Sequence, residues 1–219
     1  MTLSPPSTPP SPLLDLLLPR LVPGRRFMLG LVGAPGAGKS TVAQALLAAL
    51  PGRAVVVPMD GFHLANTELA RLGRAARKGA ADTFDGAGYV ALLRRLRQRP
   101  AGQVVYAPDF RRELDEAVAG AIGVPEEIEL VITEGNYLLL EGAPWSGVRA
   151  ELDAVWYVDI DAAVRRERLV ARHVRFGRSE AAARAWVAHT DEPNALLVEA
   201  GRARADLVLP AAVWDAAAA

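Results

Sequence analysis

Apolar positions along this chain fall into two alternating periods. Short apolar runs recur at 27–32, 54–58, 103–106, 128–133, 154–159 and 206–209. Runs of this kind, with little polar alternation, predict strands buried on both faces. Between them, apolar residues return at three- and four-residue spacing over about 39–50, 64–72, 86–98, 161–176 and 179–202. That spacing predicts helices. The resulting βαβ rhythm predicts an α/β fold, a parallel sheet with helices on both faces. In such a sheet, ligands gather at the carboxyl ends of the strands. Residues 13–22 predict a short apolar helix broken at Pro19 and packed onto the domain. Residues 1–12 (MTLSPPSTPPSP) are rich in Pro, Ser and Thr and are expected to form a disordered tail ahead of one domain over 13–219. The stretch 111–127 carries the weakest pattern, and Ala117 to Val124 reads as an extra strand or as half of a hairpin.

Composition narrows the function classes. At 219 residues and 51% hydrophobic, the chain suffices for one core of ordinary size. Lys+Arg 25 balances Asp+Glu 25, so no global charge argues for nucleic acid or for an anionic membrane. Arg far outnumbers Lys, which suits fixed recognition of phosphate and carboxylate. Without Cys there are no disulfides, zinc-thiolate sites or thiol catalysis. No apolar run approaches the roughly 20 residues that span a bilayer. Residues 1–12 also lack the basic start and apolar core of a signal peptide. A cytoplasmic location is the expectation.

One motif dominates the chemistry. Gly33-Ala34-Pro35-Gly36-Ala37-Gly38-Lys39-Ser40-Thr41 is a complete G-x-x-x-x-G-K-S phosphate-binding loop, set between an apolar run and a helical pattern. Its glycines let backbone N–H groups curl around a polyphosphate, and the helix N-terminus adds positive potential. Lys39 can reach the β- and γ-phosphates, and the Ser40 hydroxyl can ligate Mg²⁺.

Three further groups stand at element ends. The run Ala54–Val57 leads into Asp60-Gly61-Phe62-His63. A carboxylate just past a strand adjacent to the loop strand would face the γ-phosphate, accepting a proton from an attacking hydroxyl or holding a magnesium-bound water. The alternative is a helix N-cap. His63 reads equally as a substrate contact or a structural histidine. The run ending at Thr133 closes in Glu134-Gly135-Asn136-Tyr137, an apolar strand terminating in an acid that could hold Mg²⁺; a solvated loop acid is the alternative. Arg165, Arg168, Arg172 and Arg175 form one stripe on a helix. Such a stripe can close over a triphosphate, with Gly177 and Arg178 at the moving tip, or it can be a solvated basic face. Tyr106-Ala107-Pro108-Asp109-Phe110-Arg111-Arg112 reads as a wall for a small polar substrate or as a turn. The scattered tryptophans, Trp145, Trp156, Trp186 and Trp214, read as core.

Together these segments resemble the P-loop kinases that include uridine kinase, phosphoribulokinase and type I pantothenate kinase. The resemblance runs from about Phe27 to Leu209 and is strongest to a compact bacterial nucleoside/nucleotide kinase branch, the fructose transport system kinase-like proteins. Pro58-Met59-Asp60-Gly61-Phe62-His63, with Asn66 and Leu69, is similar to the T-D-G-F segment of pantothenate kinase. Arg77-Lys78-Gly79 and Thr83-Phe84-Asp85 resemble that family's basic-Gly and S-Y-D elements. Tyr106 to Phe110 with Arg111 and Arg112 resembles the Y-D-F…R element of uridine kinases, and Glu134-Gly135-Asn136-Tyr137 the E-G motif. Val158-Asp159-Ile160-Asp161 with Arg165 and Arg168 looks like the lid segment, and Asn194 with Ala205-Asp206 like the segment on the adenine side. His173 stands where many uridine kinases have an acid.

The resemblance implies a P-loop NTPase three-layer sandwich, a mainly parallel sheet with a helical lid. It implies ATP, Mg²⁺ and transfer of the γ-phosphate to a hydroxyl of a small molecule, which is nucleoside-, pantothenate- or sugar-like. It makes Asp60 the base, Lys39, Arg165, Arg168 and Arg172 the further catalytic groups, and Ser40 with Glu134 the metal side. His63, Tyr106, Asp109, Phe110, Arg111, Glu134 and Asn136 join Asp60 around the acceptor. The expected partner is that acceptor, not nucleic acid or membrane, with a homodimer as the assembly to consider. The competing class is a regulatory or metal-delivery NTPase. A G-protein is disfavoured because neither N-K-x-D nor T-K-x-D occurs, and Asp85-Gly86-Ala87-Gly88 ends no apolar strand.

Overall fold

The computed structural model describes residues 12–214. The tail expected over 1–12 therefore lies outside the described residues, except Pro12. The chain runs α1 (Pro12–Leu17), β1 (Phe27–Val32), α2 (Lys39–Ala49), β2 (Ala54–Val56), α3 (Asn66–Arg71), α4 (Gly86–Gln98), β3 (Val105–Arg111), β4 (Glu116–Val124), β5 (Leu130–Gly135), β6 (Ala154–Asp159), α5 (Ala162–Arg175), α6 (Glu180–Trp186), α7 (Glu192–Glu199), β7 (Leu207–Pro210) and α8 (Ala211–Trp214). Helix starts follow side-chain caps: Asp85 accepts from the Gly88 N–H, Asp161 from Ala163 and Val164, and Ser179 from Ala182.

Five strands form one parallel sheet in the order β2-β5-β1-β6-β7. Both faces are covered, which is why the strands read as apolar runs. On one face Met28, Val131, Val155 and Tyr157 pack against Tyr89, Leu93 and Leu96 of α4. On the other, Leu31, Ile132, Trp156 and Val158 pack against Leu13 and Leu17 of α1, Val42 and Leu46 of α2, and Trp214 of α8. Each large side chain buried this way contributes roughly 1.5–3 kcal/mol. The three-layer α/β sandwich expected from the rhythm is the fold. Among the described residues no helix is long and apolar enough to cross a membrane.

The strand order corrects one expectation. β2 pairs with β5, not with the loop strand β1, so Glu134 rather than the Asp60 segment stands beside the phosphate loop. Strand order depends on long-range pairing, and local pattern does not encode it. The path from β2 toward Asp60 is nevertheless fixed. The Val57 N–H donates to the Ile132 carbonyl at 2.8 Å, and Thr133 Oγ1 donates to the Val57 carbonyl at 2.7 Å.

β3 and β4 form a separate antiparallel hairpin, so 117–124 is half of a hairpin and 106–111 is strand rather than turn. The hairpin sits on the tight turn Met59–Phe62, where a Cβ at Gly61 would overlap the Pro108 carbonyl. Only glycine permits that approach. The helix expected over 179–202 is broken into α6, a π-helical turn over Val187–Asp191, and α7.

Candidate active site

The loop after β1 is shaped by two left-handed glycines, Gly36 (φ 80°) and Gly38 (φ 97°). A side chain at Gly36 would strike Leu169, and one at Gly38 would strike the Trp214 ring. Lys39 Nζ lies back over the loop, donating to the carbonyls of Gly33 (2.9 Å) and Ala34 (3.3 Å) and to Asn136 Oδ1 (2.7 Å). Burial pushes its ammonium below the ordinary lysine value, while Glu134 and Asp60 pull the other way. Ser40 Oγ donates to Glu134 Oε1 at 2.6 Å. Burial pushes the Glu134 carboxyl above the ordinary value, against Lys39 and the Ser40 hydrogen bond. Gly135 lets β5 pass Met59 closely enough to bring the two strand ends together.

Asp60 lies on the turn Met59–Phe62. Its carboxylate accepts no hydrogen bond among the described residues, and the N-cap of α3 is Ala65, so the side chain caps nothing. Instead it lines a cavity of about 430 Å³ together with Lys39, Ser40, Glu134, Asn136 and Arg172. Its backbone carbonyl accepts from His63 Nδ1 at 2.8 Å. Because a carbonyl only accepts, the ring hydrogen sits on Nδ1 and Nε2 is left as an acceptor. The ring packs between Phe84 (4.0 Å) and Phe110 (4.8 Å), tilted against each. Burial pushes His63 below the usual histidine value, despite the pull of Asp60.

The hairpin supplies the far wall, and it selects among the residues expected there. Phe110 and Arg112 line the cavity. Tyr106, Asp109 and Arg111 do not: Tyr106 is exposed, and Asp109 pairs with Arg111 at 3.6 Å. Phe110 and Arg112 stand two residues apart and so share one face, beyond a shift of register between Ala107 and Asp109. Beside them, Lys78 Nζ donates to Asn66 Oδ1 at 2.7 Å and pairs with Asp115 at 3.0 Å, and it lies over the Phe110 ring. Asp115, Thr190 and Asp191 also line the cavity and carried no recognisable signal in the sequence.

The arginine stripe fans out. Arg165 is buried and turned from the cleft, donating to Glu192 of α7 and to the Pro35 carbonyl at 3.4 Å. Arg168 lies over the Trp214 ring, beside a second cavity of about 460 Å³ lined by Gly36 and Gly38 to Thr41. Arg172 borders both cavities. Trp214 is thus core and also a nucleotide-side wall. Beyond Arg172, His173 Nε2 meets Asp191 Oδ2 at 2.9 Å, and Arg178 stacks over the half-buried Trp186 at 4.0 Å. Asn194, expected on the adenine side, lines the cavity that holds Asp60 and His63. Asp206 corrects another expectation: at the amino end of β7 it accepts from the Val155 N–H (2.6 Å) and pairs with Arg149, far from the ligand edge.

No family model matches the chain. Individual proteins do. The "ATP-dependent kinase-like protein notR'" of Aspergillus versicolor is 39% identical over 63% of this chain and 84% of its own length. The "putative uridine kinase C227.14" of Schizosaccharomyces pombe is 34% identical over 84% of this chain and 83% of its own. The crystal structure of a "putative fructose transport system kinase" from Silicibacter sp. TM1040 superimposes with a TM-score of 0.82 at 40% identity, covering 90% of this chain and 98% of that one. The chain belongs to the P-loop kinase family that includes uridine kinase-like and pantothenate kinase-like proteins. Within that family it is an ATP-dependent kinase.

Proposed function

We propose that the protein transfers the γ-phosphoryl group of ATP to a hydroxyl of a small acceptor held between the Asp60 turn, the β3–β4 hairpin and the segment from Arg172 to Asn194. One observation carries this reading: the Asp60 carboxylate, without a partner among the described residues, lies in the same cavity as Lys39 and Glu134. A free carboxylate that shares a cavity with the phosphate-loop lysine is placed to take a proton.

In the reaction the acceptor O–H gives its proton to Asp60 as its oxygen attacks the γ-phosphorus. The bond from that phosphorus to the β–γ bridging oxygen breaks, and ADP leaves with the electron pair. Lys39 exchanges the Gly33 and Ala34 carbonyls for phosphate oxygens. Arg172, at the border of the two cavities, meets charge on the phosphoryl group in flight. Ser40 Oγ and Glu134 Oε1 present two oxygens at one point, and no cluster of three or more acids or histidines occurs among the described residues. That donor set fits Mg²⁺, which binds through few protein oxygens plus phosphate and water. When bound, the ion would neutralise charge on the β- and γ-phosphates.

The acceptor we infer is a hydroxy compound bearing a negative charge, pantothenate-like rather than sugar-like. Arg112 and Arg178 line the cavity, and neither meets a carboxylate among the described residues; each is held by a ring, Phe176 and Trp186 respectively. Guanidiniums placed over rings rather than paired with acids keep N–H groups for a carboxylate. A nucleoside is the second reading, favoured by the Phe110 and His63 rings. The test is ATP turnover with hydroxy acids, nucleosides and sugars offered separately. A kinase of this design is nearly idle without acceptor and responds to the hydroxy acids, with Arg112→Ala raising KM for them. Steady ATP hydrolysis unchanged by every acceptor would instead support a regulatory or metal-delivery NTPase.

A further inference from the structure

A third cavity, of basic character, lies at the opposite, amino end of the sheet. It has a volume of about 660 Å³ and is lined by Arg25, Arg26, Arg97, Arg99 and Glu126, with Gly24 and Gln98. Four arginines converge here in a chain whose charges otherwise balance. They come from the segment entering β1 and from the end of α4.

The charges in this cavity are poorly compensated. Arg26 is buried, and its guanidinium donates only to main-chain carbonyls: Ile128 (3.0 Å), Leu96 (2.9 Å), Pro125 (2.6 Å) and Glu126 (3.4 Å). Arg99 donates to the carbonyls of Glu126 (2.7 Å) and Gly24 (2.5 Å). Neither forms an ion pair among the described residues. Arg25 and Arg97 share one carboxylate, Asp153, each at 3.1 Å. The Glu126 carboxylate is turned to the Gly102 N–H at 2.7 Å. Burial and the neighbouring Arg99 both push the Arg26 guanidinium below its ordinary value. Arg99 also holds a left-handed backbone (φ 46°) at the end of α4, a position that glycine or asparagine occupies at lower cost. Its guanidinium commits Nε and Nη1 to carbonyls and leaves Nη2 without a hydrogen bond among the described residues.

We propose that this arginine-lined cavity is a second ligand site, for a phosphate-bearing small molecule, separate from the catalytic cleft. Carbonyls hold the Arg26 and Arg99 guanidiniums without cancelling their charge, and Arg25 and Arg97 share a single carboxylate, so net positive charge remains for an oxyanion. The volume suits a ligand of metabolite size. The site does not depend on the identity of the acceptor.

Pyrophosphate is the probe, titrated calorimetrically into protein saturated with a non-hydrolysable ATP analogue so that the catalytic loop is filled. Binding is expected to persist in Lys39→Ala. It is expected to weaken by about tenfold or more in Arg25→Glu and in Arg99→Gln, the removal of one partner of a charge pair being the largest lever. Arg25 is an exposed side chain, so Arg25→Glu reports even if Arg99→Gln fails to fold. No heat with the catalytic site filled, loss of binding in Lys39→Ala, or wild-type affinity in a folded Arg25→Glu would each overturn the proposal.

Discussion

On the nucleotide side of the cleft, one continuous stretch, Gly33 to Thr41, is slung between the buried strand β1 and helix α2, and its form is set by backbone conformation at Gly36 and Gly38. On the acceptor side, His63, Phe110, Arg112, Arg178 and Asn194 converge from separate segments, and the wall is made by side chains. The two sides therefore differ in what a substitution can change. On the nucleotide side the two glycines cannot take a side chain without disturbing the packing beneath them, because Gly36 rests on Leu169 and Gly38 on Trp214. The acceptor side can exchange residues on a hairpin and on the turns around α6 while the sheet stays as it is. That division suits a family in which one phosphate donor serves different acceptors.

The largest expected effect lies on the nucleotide side. Lys39→Ala should lower phosphoryl transfer by about 10³-fold, at the upper end for loss of one charged donor. Its fold should survive, because the partners it abandons, the Gly33 and Ala34 carbonyls and Asn136 Oδ1, are acceptors that water can satisfy. Steady-state kinetics beside a thermal melt will show this. Turnover within tenfold of wild type would mean that the loop is not where the phosphates sit.

Next comes the group that joins the two sides. Asp60→Asn keeps the size of the side chain but cannot take a proton, and turnover should fall about 10²-fold or more. Affinity for ATP should barely move. If the variant instead melts early and turns over normally, the carboxylate serves the turn and the proton goes elsewhere.

How far each side was readable in the sequence follows from the same contrast. The loop is contiguous, so its motif announced it, and the strands beneath it are apolar throughout because both sheet faces are buried. The acceptor wall depends on facts with no local signature. The hairpin keeps Arg112 in the cleft and Arg111 out of it, and its register shifts between Ala107 and Asp109. The place of β2 beyond β5 depends on pairing across the whole chain. The arginine stripe was legible as a spacing, but Arg165 is claimed by Glu192, 27 residues further on, which no helical wheel foretells.

That last point sharpens into a prediction of smaller size. Arg172→Ala should cost roughly 10- to 10²-fold in turnover with little change in acceptor KM, the pattern of a contact strongest in the transition state. Arg165→Ala should act on the fold instead. It strips a buried guanidinium from Glu192 and should cost on the order of 2 kcal/mol, less than for a fully buried pair because Glu192 is partly exposed. Arg166→Ala, at an exposed side chain, should do little to either. Urea melts and kinetics on the three variants separate these outcomes. Equal small losses of turnover at all three would dissolve the distinction between a cleft arginine and a seam arginine.

The smallest effect is a difference in pH response, and it belongs to the acceptor side. Burial among Phe84, Phe110 and the hairpin lowers the pKa of His63 in the folded protein. In the unfolded chain the ring titrates near an ordinary value of about 6.5. Between the lowered folded value and that ordinary value, the unfolded state binds more protons than the folded one. Stability contributed by the neutral ring is therefore full above about pH 6.5 and is lost as the pH falls below it, at no more than about 1.4 kcal/mol per pH unit for one group. Replacing His63 with Gln keeps a donor for the Asp60 carbonyl and removes the titration. Chemical denaturation of wild type and His63→Gln across pH 5 to 8 should give curves that run together above about pH 7 and diverge below about 6.5, the variant losing less. Parallel curves over the whole range would mean that protonated His63 is as comfortable in the folded cleft as in water, and that the acceptor wall is wetter and more open than its packed rings imply.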